Sequence, residues 1–184
     1  MSLYKNKYRV ESVRLRGYDY SQAGAYFITI CTKNRVCYFG NIDNGKTTLS
    51  QIGQIMEQEW FTTPNIRPDM NIEMDTFVVM PDHIHGIIVI YPNRYNRCDV
   101  MHHVATETDD TVTKFISPSK NISSIIRGIK SSVTVRARKI DPAFAWQPRF
   151  HDHIIRTENE LNRIREYIIN NPRNWLKDII LPEV

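Results

Sequence analysis

The chain has 184 residues, 41% of them hydrophobic and 24% charged, with a formal net charge of +4 and a pI near 9.0. That length carries one domain with a sizeable core, or a domain with an arm, and no segment reaches the roughly 20 apolar residues that cross a membrane. No apolar run follows the first residues as in a secretory leader, and Cys31, Cys37 and Cys98 lack CxxC spacing, so the sequence reads as a cytoplasmic protein with reduced thiols.

Residues 1–24 read as a basic arm: the first sixteen hold Lys5, Lys7, Arg9, Arg14 and Arg16 against the single acid Glu11, and Tyr4, Tyr8, Tyr18 and Tyr20 are interleaved along the arm. Residues 25–184 read as one domain. Ala25–Thr32 is patterned as a strand. Val36–Ser50 reads as a strand pair turning at Asn44-Gly45, a strong hairpin signal. A helix is expected from Ser50, with Ile52, Ile55, Met56 and Trp60 near one face, ended by Pro64 and Pro68. Met70–Ile90 supplies a long strand, as one piece or two. Residues 92–120 lose periodicity and read as a mobile insertion. His102 and His103, adjacent within it, would point to opposite sides if extended and make a poor ligand pair. A second amphipathic helix is expected from about Ser123, with the stripe Ile125, Ile126, Ile129 and Val133. Trp146–Arg156 reads as the last strand. Thr157–Glu160 is a capping box, opening a helix from Glu158 to about Asn170 with the stripe Leu161, Ile164 and Ile168. Strands and helices alternating around an antiparallel-capable sheet predict an α+β fold of the ferredoxin-like kind.

The stretch VVMPDHIHGIIVI, Val78–Ile90, combines an apolar strand with two histidines. Residues i and i+2 of a strand share a face, so His83 and His85 point the same way and are placed to hold one metal ion. A buried histidine is more often a hydrogen-bonded core residue, so the pair needs partners elsewhere. His151 and His153 repeat the spacing on the last strand. They read as groups bordering the site, as DNA contacts, or as a rival metal pair. On the last helix Tyr167 and Asn171 stand four apart and flank the apolar stripe. Pro172 disfavours helical geometry at the residue before it, so Asn171 reads as a C-cap. Taken alone, Tyr167 is a half-buried aromatic at a helix flank. A second basic cluster, Arg127, Lys130, Arg136, Arg138 and Lys139, runs from 127 to 139 without an acid. A solvated face usually intersperses acids, so two one-sign clusters point to a phosphate-backbone partner.

MPDHIHGIIV resembles the HUH motif, two histidines flanking a hydrophobic residue, of single-tyrosine transposases. FHDHIIRTENELNRIREYIINNPRNW is similar to the catalytic-tyrosine helix of their REP-associated branch. RLRGYDYSQAGAYFITICTKNR and SSIIRGIKSSVT also resemble stretches of that branch. The four blocks are collinear from about Arg14 to Trp175, with only the 92–120 insertion outside them. The resemblance implies a metal pair at His83 and His85, a third ligand at Asn171 and a nucleophile at Tyr167. It implies a divalent cofactor, Mg²⁺ or Mn²⁺; imidazole ligands favour tighter binding of Mn²⁺. The implied activity is endonuclease and strand-transfer chemistry on single-stranded DNA bearing REP-like hairpins, through a 5′-phosphotyrosine. No membrane partner is expected, and the active species is a monomer or a homodimer. Two other readings are a hairpin-binding protein of the same fold without turnover, and a metal-dependent phosphoesterase that uses water.

Overall fold

The computed structural model describes residues 18–96 and 120–180, with side chains through Trp175. Lys5, Lys7, Arg9, Arg14 and Arg16 of the arm, His102, His103, Cys98 and most of the 92–120 insertion lie outside the described residues. The elements in order are β1 (Gly24–Cys31), β2 (Gly40–Asp43), β3 (Lys46–Leu49), α1 (Gln51–Ile66), β4 (Ile72–Val79), β5 (His83–Ile90), α2 (Ile122–Ala137), β6 (His151–Ile155) and α3 (Glu158–Ile180).

Four strands form one antiparallel sheet in the order β4-β5-β1-β6. Without the β2–β3 hairpin, the chain runs βαββαβ with its second and third strands joined directly. Its third strand lies beside the first, which is the ferredoxin-like arrangement expected from the sequence. The β2–β3 hairpin turns at Asn44 and Gly45, with φ of 49° and 71°. Two successive positive φ angles make the type I′ turn that the Asn-Gly pair favours.

The two faces of the sheet carry different cores. Tyr26, Ile28 and Ile30 of β1 and Ile84, Ile88 and Ile90 of β5 bury against Ile52, Met56 and Trp60 of α1 and Ile125, Ile126, Ile129 and Val133 of α2. The opposite face holds a smaller cluster, Ile87, Ile155 and Ile168, flanked by Phe27, Val89, Leu161 and Ile164 under α3. Period-two alternation puts His83 and His85 on this second face with Ile87. Tyr18 and Tyr20 pack near the ring of Tyr26, so the end of the expected arm docks on the domain.

One expectation is resolved and two change. Of the two arrangements open to Met70–Ile90, the chain takes the two-strand one, as a hairpin: β4 ends at Val79, β5 begins at His83, and the Met80 N–H donates to the His83 carbonyl at 2.8 Å. Pro81 lacks a ladder donor and fixes its φ, which ends the strand there. His83 therefore opens β5 beside a tight turn. The last strand is only His151–Ile155; Trp146 makes an isolated bridge to Thr32, and Arg149, at φ 66°, interrupts the extended run between them. Finally, α3 continues through Pro172 to Ile180, so Asn171 is an interior helical residue and not a C-cap. Proline forfeits one backbone bond. Burial of Ile168 and Asn171 and the docking of Trp175 on His83 hold the helix across that gap.

Candidate functional site

The two histidines converge through their outer ring nitrogens. His83 Nε2 and His85 Nε2 lie 3.0 Å apart, and both residues are 6% exposed. Each inner nitrogen is held from behind. His83 Nδ1 lies 2.5 Å from Asp82 Oδ1, and His85 Nδ1 lies 2.8 Å from Thr29 Oγ1. A carboxylate only accepts, so Nδ1 of His83 carries the hydrogen and its Nε2 presents a lone pair. The Thr29 hydroxyl both donates and accepts. It therefore supports either tautomer of His85: one that donates from Nε2 to His83, or one that presents a second lone pair. Burial is the main cause that pushes the His85 pKa down to about 3, and the His83, Arg35 and His151 charges add to it. The ring stays neutral at ordinary pH, as a metal ligand must.

The pair fits a divalent ion. Metal–nitrogen bonds near roughly 2.1 Å at right angles place two nitrogens about 3.0 Å apart. Among the described residues no group of three or more His, Cys, Asp and Glu side chains is gathered for metal binding. A third protein ligand would have to come from another residue type, such as an amide.

α3 crosses the pair. The Tyr167 hydroxyl lies 3.4 Å from His85 Nε2, and its ring meets that imidazole edge-on at 5.4 Å. Two turns later the Trp175 ring lies 5.9 Å from the ring of His83. Asn171 sits one turn from each on the same side of the helix and is only 4% exposed, whereas Tyr167 is 50% exposed. Phe27 completes the setting: it stacks on His85 at 5.3 Å and meets Tyr167 edge-on at 6.1 Å. The helix is tied down by Arg165, whose Nε donates to Asp75 Oδ1 at 3.0 Å and whose Nη2 pairs with the other carboxyl oxygen.

The remaining candidates are placed unevenly. His151 pairs in register with Thr29 and His153 with Phe27, so both lie on the histidine face, two strands from β5. Both are exposed, and His153 Nε2 contacts Glu160 Oε1 at 2.8 Å. Glu160 also accepts from the Arg156 N–H, while its own N–H donates to Thr157, so only half of the expected capping box forms. The basic residues of α2 lie in the layer on the opposite sheet face from the histidines. Arg127 and Lys139 are exposed; Arg136 reaches Gln58, and Arg138 donates to the Phe144 carbonyl. Lys130 turns inward and donates to the carbonyls of Gln147 and Arg149, and burial pushes its pKa down to about 8. Sequence patterning had not singled out Asp82, Thr29, Phe27 or Trp175. Only Asp82 left a signal, a carboxyl directly before the first histidine.

No family model matches the chain. A protein of Haemophilus influenzae, itself described as uncharacterized, is 41% identical over 169 residues, spanning 91% of this chain and 90% of its own. Among solved structures, a REP-associated tyrosine transposase bound to a REP hairpin superposes with a TM-score of 0.58 at 23% identity, covering 89% of this chain and 74% of that one. A candidate transposase from Deinococcus radiodurans has a TM-score of 0.43 at 18% identity, covering 85% of this chain and 95% of that one.

Proposed function

Because this chain belongs to the family of the Haemophilus influenzae protein and has the fold of a REP-associated tyrosine transposase, we propose that it cleaves and rejoins single-stranded DNA at hairpin elements through Tyr167. The observation that carries the reading is the Tyr167 phenol held 3.4 Å from His85 Nε2, at the point where two imidazole nitrogens converge. A structural tyrosine has no need of that address, and a binding protein has no need of the histidine pair.

A bond forms from the Tyr167 oxygen to phosphorus, and the bond from phosphorus to the 3′ oxygen breaks. The phenol gives up its proton, and the departing 3′ oxygen takes one up. The 5′-phosphotyrosine keeps the phosphate activated, so a second 3′-hydroxyl can reverse the step without ATP. Mg²⁺ or Mn²⁺, held by His83, His85 and Asn171, would supply charge stabilisation at the phosphate oxygens. Phe27 and the Asp75–Arg165 pair keep the phenol aimed; Asp82 and Thr29 keep the imidazoles aimed. His151 and His153 border the same face. The arm residues Lys5, Lys7, Arg9, Arg14 and Arg16, together with Arg127, Arg136, Arg138 and Lys139, are offered as backbone contacts further from the reacting phosphate. The carbonyl contacts of Lys130 make it the weakest member of the predicted set. The proposal leaves the active species as a monomer or a homodimer.

The test is a panel of hairpin-bearing single strands incubated with the protein and Mn²⁺. A protein–DNA adduct that survives denaturant and maps to Tyr167 is the expected result. Cleavage that leaves no adduct would mean that water is the nucleophile. Binding without cleavage would mean that the protein only holds hairpins.

A further inference from the structure

Between β1 and β2 one side chain stands at the rim of the histidine pair, and beyond the effect of its charge on His85 it has been given no role. Residues Lys33–Arg35 form a single tight helical turn in which Asn34 and Arg35 have φ of 55° and 56°. Both angles lie in the left-handed region that disfavours residues with a Cβ, and no glycine relieves them. Such a conformation persists only where the surroundings over-determine it. Here they do. The Thr32 N–H donates to the Asp82 carbonyl at 2.9 Å, and the buried Thr32 hydroxyl lies 2.9 Å from that oxygen and 2.8 Å from the Val36 carbonyl. The Lys33 N–H donates to Ala145 at 2.8 Å and the Phe39 N–H to Pro81 at 3.0 Å. The segment is therefore stitched to the Pro81-Asp82 turn that opens β5.

The result is a fixed guanidinium. Arg35 Nε lies 3.5 Å from Asp82 Oδ2, and Nη1 donates to Cys31 Sγ at 3.2 Å. Cys31 pairs in register with His83, so this contact is on the histidine face. The other oxygen of Asp82 is the one that takes the His83 Nδ1–H. One carboxyl thus carries both the arginine and the first histidine. Arg165 gives the contrast within the same molecule. It closes its fork on Asp75 through two nitrogens, whereas Arg35 only edges its carboxyl, leaves Nη2 out of both contacts, and has a side chain 56% exposed. A planar fork that is pre-positioned, charged and still open is suited to a phosphate oxygen.

We propose that Arg35 is an anion clamp which binds a phosphate group of the nucleic-acid strand at the rim of the histidine pair. The proposal rests on the strand-cleavage reading for its ligand, but the clamp is tested separately. The probe is thymidine 3′,5′-bisphosphate, which carries phosphates and no sequence. The measurements are its affinity for wild type, Arg35→Met and Arg35→Lys, the NMR signal of the Arg35 Nε–H, and Mn²⁺ affinity by electron paramagnetic resonance. The signal is expected to shift on titration. The affinity is expected to fall roughly tenfold to a hundredfold in the methionine variant, and less in the lysine variant, as for loss of one charged hydrogen-bonding partner. Mn²⁺ affinity is expected to stay unchanged. The clamp is overturned if wild type does not bind the bisphosphate, or if the Arg35 signal does not move as it binds. It is also overturned if bisphosphate and Mn²⁺ affinities fall together, since Arg35 would then serve only to hold Asp82. Failure to form a Tyr167 adduct while the clamp binds normally would reject strand transfer and leave the anion site standing.

Discussion

The hydroxyl of Tyr167, on α3, stands 3.4 Å from Nε2 of His85, on β5, although 82 residues of chain separate them. The phenol is half-exposed, so its ring adds little to the core. Tyr167→Phe is expected to change stability by no more than about 0.5 kcal/mol, the range of surface substitutions. It should leave DNA binding intact and abolish the covalent adduct. An adduct retained by the phenylalanine variant, or one mapped to Tyr91 or Tyr95, would assign the nucleophile elsewhere.

The parts that were legible in the sequence are the parts that periodicity encodes. Alternation put His83 and His85 on one face, and the 3.6-residue period separated the Leu161, Ile164 and Ile168 stripe from Tyr167. Asn44-Gly45 and Ser50 mark a turn and a cap through local chemistry alone. What periodicity cannot encode is register between distant strands. Thr29 meets His85 only because β1 pairs with β5 in one particular alignment. The same alignment sets Cys31 opposite His83. Pro172 misled in the other direction: its local preference argues for a helix end, while packing further along the same face carries the helix on. A run of like charges in sequence does not say where each side chain ends up: α2 packs by its apolar stripe, and Lys130 at the edge of that stripe donates to two carbonyls.

Asp82 fixes the tautomer of His83, and the cost of losing it should appear in metal affinity. Asp82→Asn keeps the shape but removes the charge that accepts the Nδ1–H. Loss of such a supporting partner typically weakens metal binding roughly tenfold to a hundredfold. Titration with Mn²⁺ followed by electron paramagnetic resonance measures it. Equal affinity in variant and wild type would show that His83 is oriented by packing alone.

The Asp75–Arg165 pair should make the seating of α3 sensitive to acid. The Arg165 hydrogen bonds are the leading cause that brings the Asp75 pKa down to about 2 from its ordinary 3.8. A carboxyl depressed on folding stabilises the fold above its unfolded value and loses that contribution as pH falls toward the folded value. The window is therefore from about pH 4 down to about pH 2. Arg165 is 38% exposed, so solvent screening reduces the effect to about 1–2 kcal/mol at neutral pH. Denaturant unfolding of wild type and Asp75→Asn should differ by that amount at pH 7, and the curves should converge as the window is crossed. A difference that stays constant down to pH 2 would mean that the pair is not its source.

Gly86 follows His85 in β5, and its missing side chain is what lets Trp60 lie flat on the opposite face of the sheet. A Cβ placed there would come 2.4 Å and 2.6 Å from the Trp60 ring and 3.1 Å from Phe77. Trp60 is fully buried and stacks on Phe77 at 4.5 Å with 11° between the planes, so the ring has nowhere to go. The strand must move instead. Overpacking of this kind costs about 1–3 kcal/mol. Because His85 is the preceding residue, a shift of β5 is expected also to spoil the 3.0 Å approach of the two Nε2 atoms. Gly128→Ala on α2 is the control. Its Cβ would meet Arg67 Nη2 at 2.5 Å, the tip of a long side chain that donates to the Ser124 carbonyl at 2.9 Å; disturbing that bond is offset by the up to about 1 kcal/mol by which alanine favours a helix. Gly86→Ala is expected to lower both unfolding free energy and Mn²⁺ affinity, and Gly128→Ala to change neither by much. If Gly86→Ala lost stability but kept full Mn²⁺ affinity, the two faces of β5 would be mechanically independent, and the packing of Trp60 would have no part in setting the histidine pair.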